Sequence, residues 1–156
     1  MFVFGFIILL TCSYEKAYFL LFVASTFLMA CFTPSEVEVD VQYPNMVSKG
    51  EVFEVVVDIV NSSRNSQTLD SIDIGRAYLK GIIMTSSSPD YIESRGYDIF
   101  DFESFSYDLE IPSQETFSVV YTMQAFEEGD FGDLFDVCIN SGGDCLNNTI
   151  RTVVVE

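Results

Sequence analysis

A strict alternation of apolar and polar residues is the feature that most constrains the fold of this chain. Residues 36–43, Glu-Val-Glu-Val-Asp-Val-Gln-Tyr, alternate with a period of two. In residues 52–60, the inward set is Phe53, Val55, Val57 and Ile59, whereas Glu54 and Asp58 face out. Successive side chains of a β-strand point to opposite faces, so this period predicts strands with one buried and one solvated face.

Further segments of this kind follow, each bounded by residues typical of turns. They cover residues 69–74, 82–87, 105–111, 117–125, 134–139 and 150–155. A single helical turn is expected at residues 77–80, whereas residues 91–103 fit no single pattern. Short strands without a long helix predict an all-β fold, an antiparallel sandwich of about seven to nine strands.

Several short motifs resemble those of immunoglobulin-like domains in bacterial surface and adhesion proteins. The motifs are Tyr43-Pro44, Lys49-Gly50-Glu51, the strand ending at Asn61, residues 112–117, and Gly129 before the final hairpin. The resemblance implies an immunoglobulin-like β-sandwich over residues 36–156. It also implies a binding or structural role without catalysis. The chain has no Trp, so the resemblance does not extend to the cysteine-tryptophan-cysteine core of antibody domains.

The first 31 residues have a different composition and predict a membrane-targeting segment. Apolar runs cover residues 1–10 and 17–32. Both are shorter than the roughly 20 residues of a comfortable membrane-spanning helix. Lys16 precedes the second run, which is the arrangement of an export signal.

The end of the second run, Leu28-Met29-Ala30-Cys31, is similar to a bacterial lipoprotein signal. Met29 departs from that pattern, in which a smaller residue is usual. The resemblance implies cleavage before Cys31 and attachment of a lipid to its sulfur, with residues 32–35 as a tether. The domain would then be extracytoplasmic and held at the cell membrane or surface. An uncleaved single-pass signal anchor and a simple secreted form remain the alternatives.

The charge and the residue types exclude several function classes. The formal net charge is -17, and residues 32–156 keep all of it, with six Lys and Arg against 23 Asp and Glu. Such a surface repels phosphates, so we expect no nucleic-acid partner. The chain has no His, which removes the commonest general base, the Ser-His and Cys-His pairs and most zinc sites. We therefore expect no enzymatic activity and no cofactor, and a protein or carbohydrate partner at the envelope.

Two late cysteines predict a disulfide. Cys138 and Cys145 flank Ser141 and Gly142, which suit a tight hairpin turn. A turn at those two residues would place the cysteines directly opposite each other, at a separation that a disulfide can bridge. A redox or metal motif would need closer spacing or further ligands.

Two groups of acidic residues were weighed as sites for a metal ion or for glycoside hydrolysis. The first contains Asp98, Asp101 and Glu103; the second contains Glu127, Glu128, Asp130 and Asp133. Oxygen-rich loops bind calcium outside cells, so a calcium-dependent carbohydrate-binding module, or an accessory domain of an envelope enzyme, is the alternative function. Neither group has the spacing of a known calcium loop, which favours solvated charge. A glycosidase pair would require a defined separation of two carboxylates.

An unusual density of aromatic residues lies between positions 91 and 107. The residues are Tyr91, Tyr97, Phe100, Phe102, Phe105 and Tyr107. Alternate rings must enter the core of any sandwich, and the others would form an exposed patch that contacts a partner or a carbohydrate. Two N-glycosylation patterns, at Asn61 and Asn147, are interpreted as incidental in a chain with a bacterial-type signal.

Overall fold

A computed structural model describes residues 36–141 and 144–156. The strands in these residues are β1 Val37–Gln42, β2 Met46–Ser48, β3 Val52–Asn61, β4 Gln67–Gly75, β5 Ile82–Ser88, β6 Glu93–Tyr97, β7 Phe102–Ile111, β8 Glu115–Ala125, β9 Gly129–Ile139 and β10 Asp144–Val155. One short helix, α1, covers Arg76–Leu79. No helix in the described ranges is long and apolar enough to cross a membrane. The expected signal segment, with Leu28, Met29, Ala30 and Cys31, lies outside the described residues.

The strands form two sheets. One has four strands in the order β1-β3-β8-β5, and the other has six in the order β2-β10-β9-β4-β7-β6. Aromatic side chains join the sheets: the ring of Tyr121 on β8 lies 6.0 Å from Phe105 on β7 and 6.4 Å from Phe135 on β9. The Tyr107 hydroxyl also donates to the Tyr121 hydroxyl at 2.8 Å in the interior. The described residues are therefore mostly β, as the sequence predicts.

The alternating pattern correctly identifies the core-facing side chains of β3 and β8. The predicted apolar positions of β3 are buried, and so are Val119, Tyr121 and Met123 on β8. The two strands pair in register from Val52 with Gln124 to Asn61 with Glu115. Each inward side chain of β3 thus lies beside inward side chains of β8. The removal of this apolar area from water stabilises the folded state.

Three details differ from the sequence prediction. The described residues form ten strands, not seven to nine, because β2 and β6 show no alternation that a sequence pattern could detect. One pair, β2 with β10, is parallel, so the sandwich is not entirely antiparallel. The last hairpin is also longer than expected, because β9 and β10 pair from Ile139 with Asp144 to Gly129 with Val154.

The registers define the two ends of the sandwich. Val37, where the chain enters β1, pairs with Asn61, and Asn61 pairs with Glu115. The Asn61 side chain also donates to the Ile111 carbonyl at 3.1 Å. We call the end of the sandwich that contains Val37, Asn61 and Glu115 the entry end. β7 runs from Phe102 to Ile111, so Phe102 and the turn before it lie at the opposite end, which we call the hairpin end.

Candidate interaction surface

The β6–β7 hairpin is the most distinctive exposed feature of the described residues. β6 pairs with β7 from Glu93 with Ser106 to Tyr97 with Phe102, and residues 98–101 form the turn. β6 is the last strand of the six-stranded sheet, so one of its edges has no neighbouring strand in the described structure. All five of its residues are exposed, which explains why the sequence pattern missed it.

The turn presents apolar side chains to solvent. Ile99 is 91% exposed and Phe100 is 70% exposed, and Ile92 before β6 is also 70% exposed. Soluble proteins rarely expose contiguous apolar groups without a functional reason. Of the aromatic residues grouped in the sequence, Phe105 and Tyr107 belong to the core, whereas Tyr91, Tyr97 and Phe100 are exposed. The rings are therefore divided between the core and the surface.

Aromatic contacts hold the hairpin in one shape. The Phe102 ring lies 5.1 Å from Tyr97 and 6.0 Å from Phe100, the latter in a stacked arrangement. The Arg95 guanidinium lies over the Tyr97 ring at 5.8 Å. Aromatic pairs of this kind contribute about 0.5–1.5 kcal/mol beyond the area that they bury. The exposed rings are thus positioned before any partner arrives, which lowers the entropic cost of binding.

Arg76 of α1 connects the hairpin to the rest of the sandwich. Its Nη1 donates to Asp98 at 2.6 Å, and its Nη2 lies 3.9 Å from Glu103. Its backbone N–H donates to the Asp101 carbonyl at 2.9 Å. The hydrogen bond to Asp98 is the main cause that raises the pKa of Arg76. The acidic group at positions 98–103, weighed as a metal site, therefore surrounds an arginine in the structure.

Gly96 on β6 leaves room for that arginine. A Cβ atom at this position would stand 2.1 Å from Arg76 Nη2 and 3.0 Å from a Glu103 carboxylate oxygen. A larger residue would displace the guanidinium from its two carboxylate partners. This requirement links a glycine on one strand to a side chain 20 residues earlier, and sequence spacing alone gives no sign of it.

A recess lined by apolar side chains and by Glu103 lies beside the hairpin, between the edges of the two sheets. It has a volume of about 220 Å³, and its lining includes Ile82 and Met84 from β5 together with Tyr91 and Phe105. The Tyr91 ring packs edge-on against Phe105 at 5.2 Å.

The second acidic group does not form a common site. Glu128 pairs with Lys49 at 3.3 Å, and Asp130 pairs with Arg151 at 2.5 Å. Asp133 accepts from the backbone N–H of Ala77 at 2.9 Å, and Glu127 joins none of these pairs. Among residues 36–141 and 144–156, no three Cys, Asp or Glu side chains come close enough to hold a metal ion. The hydrogen bond from Arg151 lowers the pKa of Asp130.

Cys138 and Cys145 form the disulfide that their spacing predicts. They pair directly across β9 and β10, with Cα atoms 4.0 Å apart and an S–S bond of 2.00 Å. The turn between them includes residues 142–143, which lie outside the described residues. The disulfide closes the end of the long final hairpin that lies near the entry end.

A pair of carboxylates lies close to this disulfide on the outer face of the six-stranded sheet. Asp73 on β4 and Asp136 on β9 are directly opposite, and each has one buried Oδ1 with no hydrogen-bond partner in the described structure. The Cys138 sulfur lies 3.7 Å from the other Asp73 oxygen. Like charges placed directly opposite are destabilising, and no sequence pattern indicated this pair.

Asn61, the first N-glycosylation pattern, has a structural role. Its side chain is completely buried, and its Nδ2 donates to the carbonyls of Asn65, Ile111 and Pro112 at 3.0–3.1 Å. Its Oδ1 accepts from the backbone N–H and the hydroxyl of Ser63. The amide is thus unavailable for modification in the folded protein.

Comparison with known proteins gives a fold and no family. No protein-family model matches the sequence, and no curated protein is significantly similar to it. A cryo-EM structure of native alpha-2-macroglobulin from E. coli has a TM-score of 0.53 at 13% identity, over 78% of this chain and 7% of that chain. The trypsin-activated form from E. coli has a TM-score of 0.52 at 14% identity, with the same coverage.

The cupredoxin domain of amoB from Nitrosocaldus yellowstonii has a TM-score of 0.50 at 12% identity, over 79% of this chain and 89% of that domain. This chain therefore spans less than a tenth of the macroglobulin chains but most of the cupredoxin domain. At such low identity, the likeness shows the fold alone. In its described part, the chain is similar to immunoglobulin-like β-sandwich domains.

Proposed function

We propose that this protein is a non-catalytic binding module at the outside of a cell membrane, and that the β6–β7 hairpin is its contact surface for a protein partner. The observation that supports this most is the exposed apolar turn, in which Ile99 and Phe100 face solvent on a hairpin braced by Arg76. Hot spots of protein interfaces are enriched in aromatic residues and arginine held in well-packed positions. We further propose that the module is an immunoglobulin-like domain of the kind found in bacterial surface and adhesion proteins.

The second part of the proposal is the membrane anchor. The Cys138–Cys145 disulfide supports an oxidising compartment, because such bonds are rare in the cytosol. A lipidated Cys31 would then attach the domain, since more than one acyl chain gives stable membrane binding. The four residues 32–35 separate Cys31 from Glu36, and a chain of that length reaches at most about 18 Å.

The hairpin stands at the opposite end of the sandwich from the start of β1. β7 and β8 have 10 and 11 residues, and a strand rises about 3.3 Å per residue, so the two ends are roughly 33–36 Å apart. A short tether at the entry end and an apolar turn at the hairpin end suit a module that meets a partner away from the membrane.

Site-specific photocrosslinking in the native host tests the contact surface. A photoreactive amino acid at position 99 should give one dominant crosslinked product in intact membranes. The same amino acid at Arg64, an exposed residue in the loop at the entry end, is the matched control and should give little product. Equal products at both positions, or none at position 99, would exclude the hairpin as the main contact.

Mass spectrometry of the membrane-extracted protein tests the anchor separately. The expected mature N-terminus is a diacylated Cys31, and Cys31→Ser should abolish both the added lipid mass and the cleavage before position 31. An unmodified Cys31 in membrane-extracted protein would contradict the lipoprotein proposal and favour a signal anchor. The crosslinking result does not depend on this outcome.

A further inference from the structure

The outer edge of β6 carries a charge pattern that is complementary to itself. Glu93 and Arg95 lie two residues apart and on the same face of the strand. Arg95, like Arg64 and Lys80, forms no ion pair in the described structure, and its guanidinium lies over the Tyr97 ring. Of these three basic residues, Arg95 is the one on the open strand edge, two positions from an acidic residue.

We propose that β6 pairs antiparallel with β6 of a second copy of this chain, about a two-fold axis at Ser94. Half of the peptide groups on an edge strand point away from the sheet and offer hydrogen bonds to a new strand. With the axis at Ser94, Glu93 of each copy lies opposite Arg95 of the other. The pairing joins two six-stranded sheets into a continuous sheet of twelve strands.

Aromatic residues add no cross-strand pair at this register. Tyr91 precedes β6, and its ring packs against Phe105, on the face of the hairpin that Ser94 shares. Tyr97 lies opposite Phe102, on the other face. The exchanged charges therefore carry the self-complementarity of this strand.

Charges on edge strands commonly prevent such pairing. An edge strand repels copies of itself when its charges lie opposite like charges in the paired register. β6 does the reverse at this axis, because its single acid and its single base exchange places between copies. The net charge of -17 on each chain opposes association over longer distances, so the dimer requires the screening of physiological salt.

Antiparallel pairing places the two entry ends at opposite ends of the dimer.

Disulfide trapping of the purified full-length protein in detergent tests the pairing. At the proposed axis the two Ser94 residues face each other at a Cα separation of about 4.5–5.5 Å, within the range of a disulfide. Ser94→Cys should give crosslinked dimer under mild oxidation at about 150 mM salt. Ser66→Cys, at an exposed loop position near the entry end, is the matched control and should remain monomeric.

Charge exchange then identifies the register. In the Ser94→Cys protein, Glu93→Arg or Arg95→Glu alone should slow crosslinking about tenfold, because each creates two like-charge pairs. The double variant carrying both substitutions should recover most of the original rate. Unchanged urea unfolding midpoints would confirm that the single variants remain folded. Crosslinking of Ser94→Cys no faster than Ser66→Cys, or a double variant as slow as the single ones, would overturn the proposal.

Discussion

Among single residues, a few buried polar side chains hold loops in place through hydrogen bonds that the pairing of β-strands does not supply. Asn61 is the clearest example, because it ends β3 and yet its amide satisfies three carbonyls from two other loops. The sequence marked it as a glycosylation pattern and as the end of a strand but gave no sign of this role, since hydrogen bonds to residues about 50 positions away leave no local signal. The opposed pair Asp73 and Asp136 escaped detection for the same reason.

Asn61→Ala should lower the free energy of unfolding by about 3 kcal/mol, because it leaves buried carbonyls and the Ser63 hydroxyl without their partner. Urea denaturation followed by circular dichroism measures the change. Asn147→Ala, at an exposed asparagine with the same glycosylation pattern, is the matched control and should change stability by less than about 0.5 kcal/mol. Equal effects of the two substitutions would contradict the role assigned to Asn61.

Tyr78 makes stability depend on alkaline pH. Burial raises the pKa of Tyr78 to about 12 from 10.0, and its hydroxyl shares a hydrogen bond of 3.2 Å with Thr152. A raised folded-state pKa contributes stability that is complete below pH 10 and is lost as the pH rises from 10 to 12. In urea unfolding at pH 8 and pH 12, Tyr78→Phe should show a decline about 2 kcal/mol smaller than the unmodified protein. Identical declines would show that Tyr78 is not the titrating group.

Among strands and hairpins, the sequence predicted the strands whose apolar and polar residues alternate. β3 and β8 alternate because one face is buried, whereas β6 is exposed on both faces and shows no period. The first half of β9, Gly-Asp-Phe-Gly-Asp, resembles a turn in composition and becomes a strand only because β10 pairs with it. The aromatic group was recognised from composition, but its division between core and surface depends on the hairpin turn at residues 98–101.

The Cys138–Cys145 disulfide should stabilise the final hairpin without setting its register. Eleven residue pairs join β9 and β10, so the strands have many other contacts. Cys138→Ser combined with Cys145→Ser should therefore keep the native circular dichroism spectrum and lower the unfolding free energy by about 2–3 kcal/mol. The unmodified protein in dithiothreitol should unfold at the same urea concentration as the double variant. A loss of β structure in the variant would contradict this expectation.

Across the whole molecule, acidic side chains that are close in sequence contact separate partners. Glu128, Asp130 and Asp133 each contact a different group, and this separation gives no specific site for calcium. Calcium at millimolar concentration should raise the melting temperature no more than magnesium at the same concentration, since both only screen repulsion. A calcium-specific increase in thermal denaturation would instead support a calcium-dependent carbohydrate-binding module.

We propose that the hairpin end lies outside the cell and is covered by a partner there. A membrane-impermeant maleimide applied to intact cells tests this placement, with single cysteines introduced as Ile99→Cys at the hairpin turn and Ser66→Cys near the entry end. We expect Ser66→Cys to react fully in intact cells, and Ile99→Cys to react slowly there and fully after purification. Equal reaction of both cysteines in intact cells, or failure of both to react, would contradict it.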